Sequence, residues 1–229
     1  METGEGQTNG HIQILIAEEH PIYGDGLRAL LDEQPDFRVI GVAPNDATTI
    51  QMTQERMPDV LLLNMKMSGN DGMGVLDELQ ILKAPVRPLL LATYLSGPDL
   101  LRALLLGARG VVLKTSATQA LFDGIRGVMV GQYWIGAEMG ASMMGALREY
   151  ARSQRGTLPH AAFGLTPREL EIVGTVVAGY SNAEIAKKYG LSEQTVKHHL
   201  SSIFDKVGVF NRLELALFAV NHRLVSDEG

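Results

Sequence analysis

The chain of 229 residues contains no cysteine and only one tryptophan. Without cysteine there is no disulfide framework, no thiol nucleophile and no Cys-ligated zinc. That composition is compatible with a reducing cytoplasm, the compartment we expect. No uninterrupted apolar run is long enough to span a bilayer, so no membrane partner is expected. Residues 1–10 lack the basic stretch and apolar core of a secretory signal and read as a flexible tail. There is no Gly-rich phosphate loop and no Ser-His-Asp constellation. His198 and His199 are adjacent on a helical pattern, point to different faces and make poor joint metal ligands. These absences argue against an enzyme. What is present is a hydrophobic content of 45%, a formal net charge of −6 and a length that suits two small globular domains.

The last third of the chain carries the strongest local signals. Thr166, Pro167 and Glu169 have the spacing of a helix start with a capping box, and Ser181 with Glu184 repeats it. Gly190 ends a second helix and Ser192 caps a third, from Glu193 to Val207. Gly208 stops that helix, and Asn211 with Glu214 opens a fourth. The third helix has two faces. Val196, Leu200, Ile203 and Val207 form an apolar stripe. Gln194, Lys197, His198 and Ser201 form a polar one, of mid-length side chains able to donate or accept. Such a face suits base edges in a major groove; the alternative is a solvated outer face of an ordinary helix. Three capped neighbours at short spacing, with Ala186 and Gly190 allowing close helix approach, favour the DNA reader.

This stretch, Leu165 to about Ala219, resembles the LuxR-type helix-turn-helix at the carboxyl end of NarL/FixJ-type response regulators. The resemblance rests on Leu-Thr-x-Arg-Glu from Leu165, Ser-Asn-x-Glu-Ile-Ala from Ser181, Thr-Val-Lys-x-His from Thr195, and Lys206-Val-Gly-Val-x-Asn-Arg212. It implies that the third helix recognises DNA and the fourth dimerises. On the fourth, Leu213, Ala216, Leu217, Val220 and Leu224 make an apolar stripe that serves either a partner helix or the domain's own core.

The charge balance does not advertise a DNA binder. From Phe163 onward there are seven Lys and Arg against eight Asp and Glu. Contacts depend on the docking face, however, not on the domain average. Lys197, His198 and Ser201, joined by Gln194, are the expected base contacts. Lys187, Lys188, Asn182 and Thr195 are expected to serve phosphates, aided by helix amino ends at Ser181 and Ser192. Modest non-specific affinity and binding as a homodimer follow. Contact with RNA polymerase or another regulator would complete the partners.

The first half has another rhythm. Apolar runs at His11–Ala17, Val39–Ala43, Asp59–Leu63, Arg87–Thr93 and Gly110–Leu113 read as strands. Helical patterns alternate with them, around Leu27–Leu31, Thr48–Met57, Leu76–Leu82, Asp99–Leu106 and Thr118–Val130. This alternation predicts an α/β fold, a doubly wound five-stranded parallel sheet, joined to the small all-α helix-turn-helix domain. A site is then expected beyond the carboxyl ends of the strands. There stand Glu18 and Glu19 after strand one, Asn64 at strand three, Thr93 at strand four and Lys114 at strand five.

From Ile12 to about Gly131 the chain resembles the receiver domain of response regulators. The carriers are Ala17-Glu-Glu-His-Pro21, Gly24-x-Gly-Leu-Arg-Ala-Leu-Leu31, Asp71-Gly72 and Gly107-Ala-x-Gly-x-x-x-Lys114. The resemblance implies an acidic pair, Glu18 and Glu19, that holds magnesium, an acceptor at position 64, and Thr93 and Lys114 on the phosphoryl group. Here position 64 is Asn. An amide is a poor nucleophile and forms no acyl phosphate. It also removes an anionic ligand, so magnesium is expected to bind weakly or not at all. Lys114 is then expected to pair with Glu18 or Glu19. Val111, Tyr94 and Ser68 also depart from the family's usual aromatic, small and proline residues, and Tyr94 is expected to crowd the pocket.

Two explanations of Asn64 compete: a naturally degenerate receiver, or a laboratory Asp-to-Asn substitution in an ordinary one. The other departures favour the first. The domain division expected is a tail over 1–10, a receiver-like domain over 11–131, a linker helix and joint over 132–160, and the DNA-binding domain over 161–229. In the linker, Met139, Met143 and Met144 offer an adaptable surface or ordinary packing. Two other readings of the chain stay open beside the DNA-binding regulator. In one the receiver is a protein-binding adaptor; in the other its crevice senses a small molecule.

Overall fold

A computed structural model describes residues 10–67, 72–153, 162–222 and 224. Ser68, Asp71, the tail before residue 10 and the joint over 154–160 lie outside the described residues. The chain divides into two compact units. The first comprises residues 1–94 and 106–134, the second residues 95–105 and 135–229.

The first unit is built on five parallel strands in the order β2-β1-β3-β4-β5. They are β1 (Ile12–Ala17), β2 (Phe37–Ala43), β3 (Val60–Asn64), β4 (Arg87–Ala92) and β5 (Gly110–Leu113). Strands buried on both faces need continuous apolar sequence, and β3 has it: all five residues of Val60–Asn64 are buried. Alternate residues face opposite layers. Ile14, Ile16, Val60, Leu62, Leu89 and Val112 pack with Leu31 of α1 (Pro21–Asp32) and with Leu121, Phe122, Ile125 and Val128 of α5 (Thr118–Met129). The opposite face is covered by α2 (Asp46–Arg56), with α3 (Met73–Ile81) against it. Strand order turns around between β1 and β3, so their carboxyl ends bound the crevice where such sheets hold their sites. Trp134 closes the β5 edge. Val111 N donates to the Trp134 carbonyl at 2.8 Å, and a Cβ on Gly110 would collide with that carbonyl.

The second unit contains α4 (Gly97–Leu105), α6 (Ala137–Ser153) and four shorter-spaced helices. These are α7 (Pro167–Val177), α8 (Asn182–Tyr189), α9 (Glu193–Val207) and α10 (Arg212–Asn221). On α6, Met139, Met143 and Leu147 are buried. The predicted caps form. Thr166 and Ser181 each make a complete capping box, with Glu169 and Glu184. The Ser192 side chain accepts from Thr195 N, and Asn211 accepts from Glu214 N. Gly190 and Gly208 terminate α8 and α9 in the left-handed conformation that glycine tolerates best. The apolar stripe of α9 turns inward, with Val196, Leu200 and Ile203 buried. Among the described residues no helix is long and apolar enough to cross a membrane.

Candidate functional site: a self-paired crevice and the outer face of a capped helix

The crevice residues are placed by the sheet's main chain. Glu18 N donates to the Ala43 carbonyl at 3.0 Å, Met65 N to Leu91 O at 3.0 Å, and Lys114 N to Ala92 O at 2.7 Å. These bonds fix the strand ends and bring Glu18, Asn64 and Lys114 together. Glu18 is 2% exposed and Asn64 3%. Asn64 Nδ2 donates to Glu18 Oε2 at 2.8 Å, and Lys66 N donates to Asn64 Oδ1 at 3.3 Å. Lys114 Nζ stands 3.5 Å from the same Glu18 oxygen. The other oxygen, Oε1, meets the His20 amide at 3.0 Å and His20 Nδ1 at 2.8 Å. Burial opposes ionisation of Glu18. The His20 amide and ring and the Lys114 charge outweigh it and hold the carboxyl below its ordinary value.

Glu19 is half-buried, with His20 Nδ1, the atom that also meets Glu18, at 4.0 Å. Thr93 lies one residue past β4, is exposed, and makes no hydrogen bond to Glu18, Asn64 or Lys114. Tyr94 is 78% exposed, so it does not crowd the pocket: its ring extends into solvent. Val111 is buried in β5. His20 was missed in the sequence; its only signal was its place between the acidic pair and Pro21.

A magnesium ion does not fit this donor set. Both oxygens of Glu18 already receive hydrogen bonds or a cation, and Asn64 turns its NH2 group, a donor, toward the carboxylate. A hard cation needs free oxygen lone pairs there. Among the described residues no cluster of three or more His, Asp or Glu could hold a metal.

The second candidate site is the outer face of α9. Gln194, Lys197, His198 and Ser201 are exposed, and Thr195 is half-buried with its hydroxyl 2.8 Å from Ser192 Oγ. Gln194 Nε2 lies 3.3 Å from His198 Nε2. On α8, Lys187 and Lys188 are exposed, and the Lys188 ammonium stands 5.3 Å from the Tyr180 ring and 5.6 Å from that of Tyr189. Asn182 is half-buried and accepts from Arg212 Nη1 at 3.3 Å; Arg212 also donates to the Tyr180 carbonyl. On α10, Ala216 and Leu217 are buried within their own unit, whereas Leu213 and Val220 are half-buried.

The face is held from behind by Glu169, which the sequence marked only as a cap. Its carboxylate receives Thr166 N at 2.8 Å and the Thr166 hydroxyl at 2.9 Å. It also receives Ser202 Oγ at 3.0 Å and Lys206 Nζ at 2.7 Å, both from α9. Burial opposes its ionisation, but Lys206, Thr166 and Ser202 prevail and lower its pKa to about 2. Ser202 and Lys206 are four residues apart on α9, a spacing that would have flagged a shared partner.

A receiver-like sheet joined to a capped helix-turn-helix defines a DNA-binding regulator of the two-component type. The comparisons agree with that class: residues 14–126 match the response regulator receiver domain, and residues 164–219 match the bacterial regulatory proteins of the luxR family. The chain belongs to the response regulators that carry a luxR-family DNA-binding domain and is a DNA-binding transcriptional regulator. It is similar to the transcriptional regulatory protein LiaR of Bacillus subtilis, 29% identical over 215 residues, which span 94% of this chain and 100% of LiaR. It is also 27% identical over 214 residues to the response regulator protein VraR of Staphylococcus aureus, covering 93% and 99% of the two chains. RcsB of Salmonella enterica serovar Typhimurium, solved bound to a promoter, shares the fold. Its TM-score is 0.54 at 22% identity, over 92% of this chain and 98% of RcsB.

Proposed function

We propose that this regulator binds a two-fold DNA site as a homodimer without phosphorylation at position 64. The observation that carries the reading is the Asn64–Glu18 hydrogen bond. The acceptor position holds an amide whose NH2 group is committed to the neighbouring carboxylate, and such a group neither attacks phosphorus nor leaves room for the cation that would assist. Lys114 is engaged by Glu18.

In this reading Lys197, His198, Ser201 and Gln194 contact bases, and Lys187, Lys188, Asn182 and Thr195 serve phosphates. The exposure of Lys187, Lys188, Gln194, Lys197, His198 and Ser201 on α8 and α9 supports the assignment; Asn182 and Thr195 are half-buried at the amino ends of the same helices. Dimerisation through α10 rests on Leu213 and Val220, since Ala216 and Leu217 are occupied by their own unit. The structural relative RcsB has been solved as dimers bound to DNA, which agrees with a dimer here. The receiver-like domain over 11–131 and the reader over 161–229 would act as the two functional parts. A DNA partner implies a cytoplasmic location, and control of transcription implies contact with RNA polymerase or another regulator.

The test is to incubate the full-length chain with a small acyl phosphate and magnesium, then weigh it and measure DNA affinity. The expected result is no phosphoryl adduct and no change in affinity. An adduct at the crevice with altered affinity would overturn the reading.

A further inference from the structure

Arg212 opens α10, and its side chain reaches the segment that enters α8. The guanidinium donates to the Tyr180 carbonyl and, through Nη1 at 3.3 Å, to Asn182 Oδ1. Chemistry settles the direction of this contact. A guanidinium has five donors and no acceptor, so the Asn182 oxygen must face it. The Asn182 NH2 group is turned the other way, and among the described residues it has no protein partner. Asn182 is half-buried, the first residue of α8, and its amide is oriented from behind.

The charge behind the amide points the same way. Arg212 is half-buried, and burial pushes its pKa below the usual value; Glu184 offsets only part of that. Its two acceptors are neutral oxygens, and among the described residues no carboxylate stands within ion-pair distance of it. A half-buried cation met by neutral oxygens alone lacks a counter-ion within its own chain, and an incoming phosphate supplies one.

We propose that Arg212 is the positioning residue for a phosphate contact made by Asn182. It fixes the amide with its NH2 group outward and backs that donor with positive charge, so that Asn182 holds one DNA phosphate in each half-site. This rests on the reading of Asn182 as a phosphate contact. It adds to that reading a residue of α10, the helix read as dimerising.

The experiment uses the full-length chain and a preferred duplex selected from a randomised pool at fixed salt. Phosphates of that duplex are replaced one at a time by neutral methylphosphonate, and affinity is measured beside the melting temperature of each variant. One replacement per half-site should weaken wild-type binding by roughly 10-fold or more, the loss of a hydrogen bond to a charged group, and leave Asn182→Ala indifferent. Arg212→Lys keeps the charge but lacks the fork that holds two oxygens, and should be indifferent too. Asn182→Asp keeps the oxygen that Arg212 meets and removes the outward donor. It should melt at or above the wild-type temperature and bind the methylphosphonate duplex more tightly than the unmodified one. If Arg212→Lys retains a sensitivity that Asn182→Ala loses, the positioning role is overturned and the phosphate contact stands. If Asn182→Asp melts below wild type, Arg212 is not its partner, and the proposal is overturned without recourse to any Arg212 variant. If Asn182→Ala keeps the wild-type sensitivity at every phosphate, the reading of Asn182 itself has failed.

Discussion

Glu18 and Glu169 are both buried carboxylates, and each is satisfied by donors drawn from several directions. The donors differ in origin. Those of Glu18 come from the strand ends that line its own crevice: the His20 amide and ring, Asn64 and Lys114. Glu18 is thereby occupied on both oxygens by its own neighbours rather than offered to an incoming cation. Those of Glu169 come from two helices, Thr166 ahead of α7 and Ser202 with Lys206 on α9. They fasten the inner side of α9 and leave its outer side to Gln194, Lys197, His198 and Ser201. The same chemistry fills a crevice in one place and braces a helix in the other. What decides is whether the donors that satisfy the carboxylate are also the groups the site would need for a ligand.

The largest expected effect lies at Glu169. Replacing it with Ala removes the capping box and the shared acceptor of Ser202 and Lys206, and should destabilise the chain by about 3 kcal/mol in denaturant titration. Its pH dependence sharpens the point. The folded carboxyl titrates at about 2, well below its ordinary 4.5. A depressed acid stabilises the fold above its unfolded pKa and loses that contribution as pH falls through the folded one. The stability gap between wild type and Glu169→Gln should therefore be about 3 kcal/mol at neutral pH and shrink from below about pH 4.5 toward pH 2. A gap that stays constant would break the comparison at this end.

Next comes Lys197→Ala, which should weaken DNA binding by about 1–3 kcal/mol if Lys197 reads a guanine, with unchanged melting temperature. Glu169 variants should move both quantities. That difference separates a group that touches DNA from one that holds the helix.

At the crevice, Asn64→Asp should place a second carboxylate against Glu18 and create a demand for a cation. Magnesium should then stabilise the variant, by about 1.4 kcal/mol at ten times its Kd, and leave the wild type unmoved in a thermal melt. Equal stabilisation of both would mean that Glu18 is less committed than its donors indicate. The smallest effect is expected for Lys188→Ala, which should lower the salt slope of DNA binding by about 0.9 for one lost phosphate contact.

Much of this was legible in the sequence because its signals are local. A helix start needs only Thr166 and Glu169, three residues apart, and strand ends announce themselves where an apolar run meets Glu18 or Asn64. The alternation of strand and helix likewise sufficed for the order of elements. What stayed hidden depends on distant residues meeting. Glu169 was readable as a cap, but not as the partner of Ser202 and Lys206, 33 and 37 residues away. The His20 ring could have pointed anywhere from the head of α1, and only the fold turns it onto Glu18. Tyr94 was expected in the pocket because sequence gives a residue's size and not its direction. On α10 the apolar stripe was equally suited to core and partner, and burial divides it: Ala216 and Leu217 inward, Leu213 and Val220 at the margin.

The most direct test of the central claim is selection of binding sites from randomised duplexes by the untreated full-length chain. We expect enrichment of two-fold sites without any phosphoryl donor, and the same sites at the same affinity when an acyl phosphate is added. Enrichment that appears only after treatment with the donor would contradict the account.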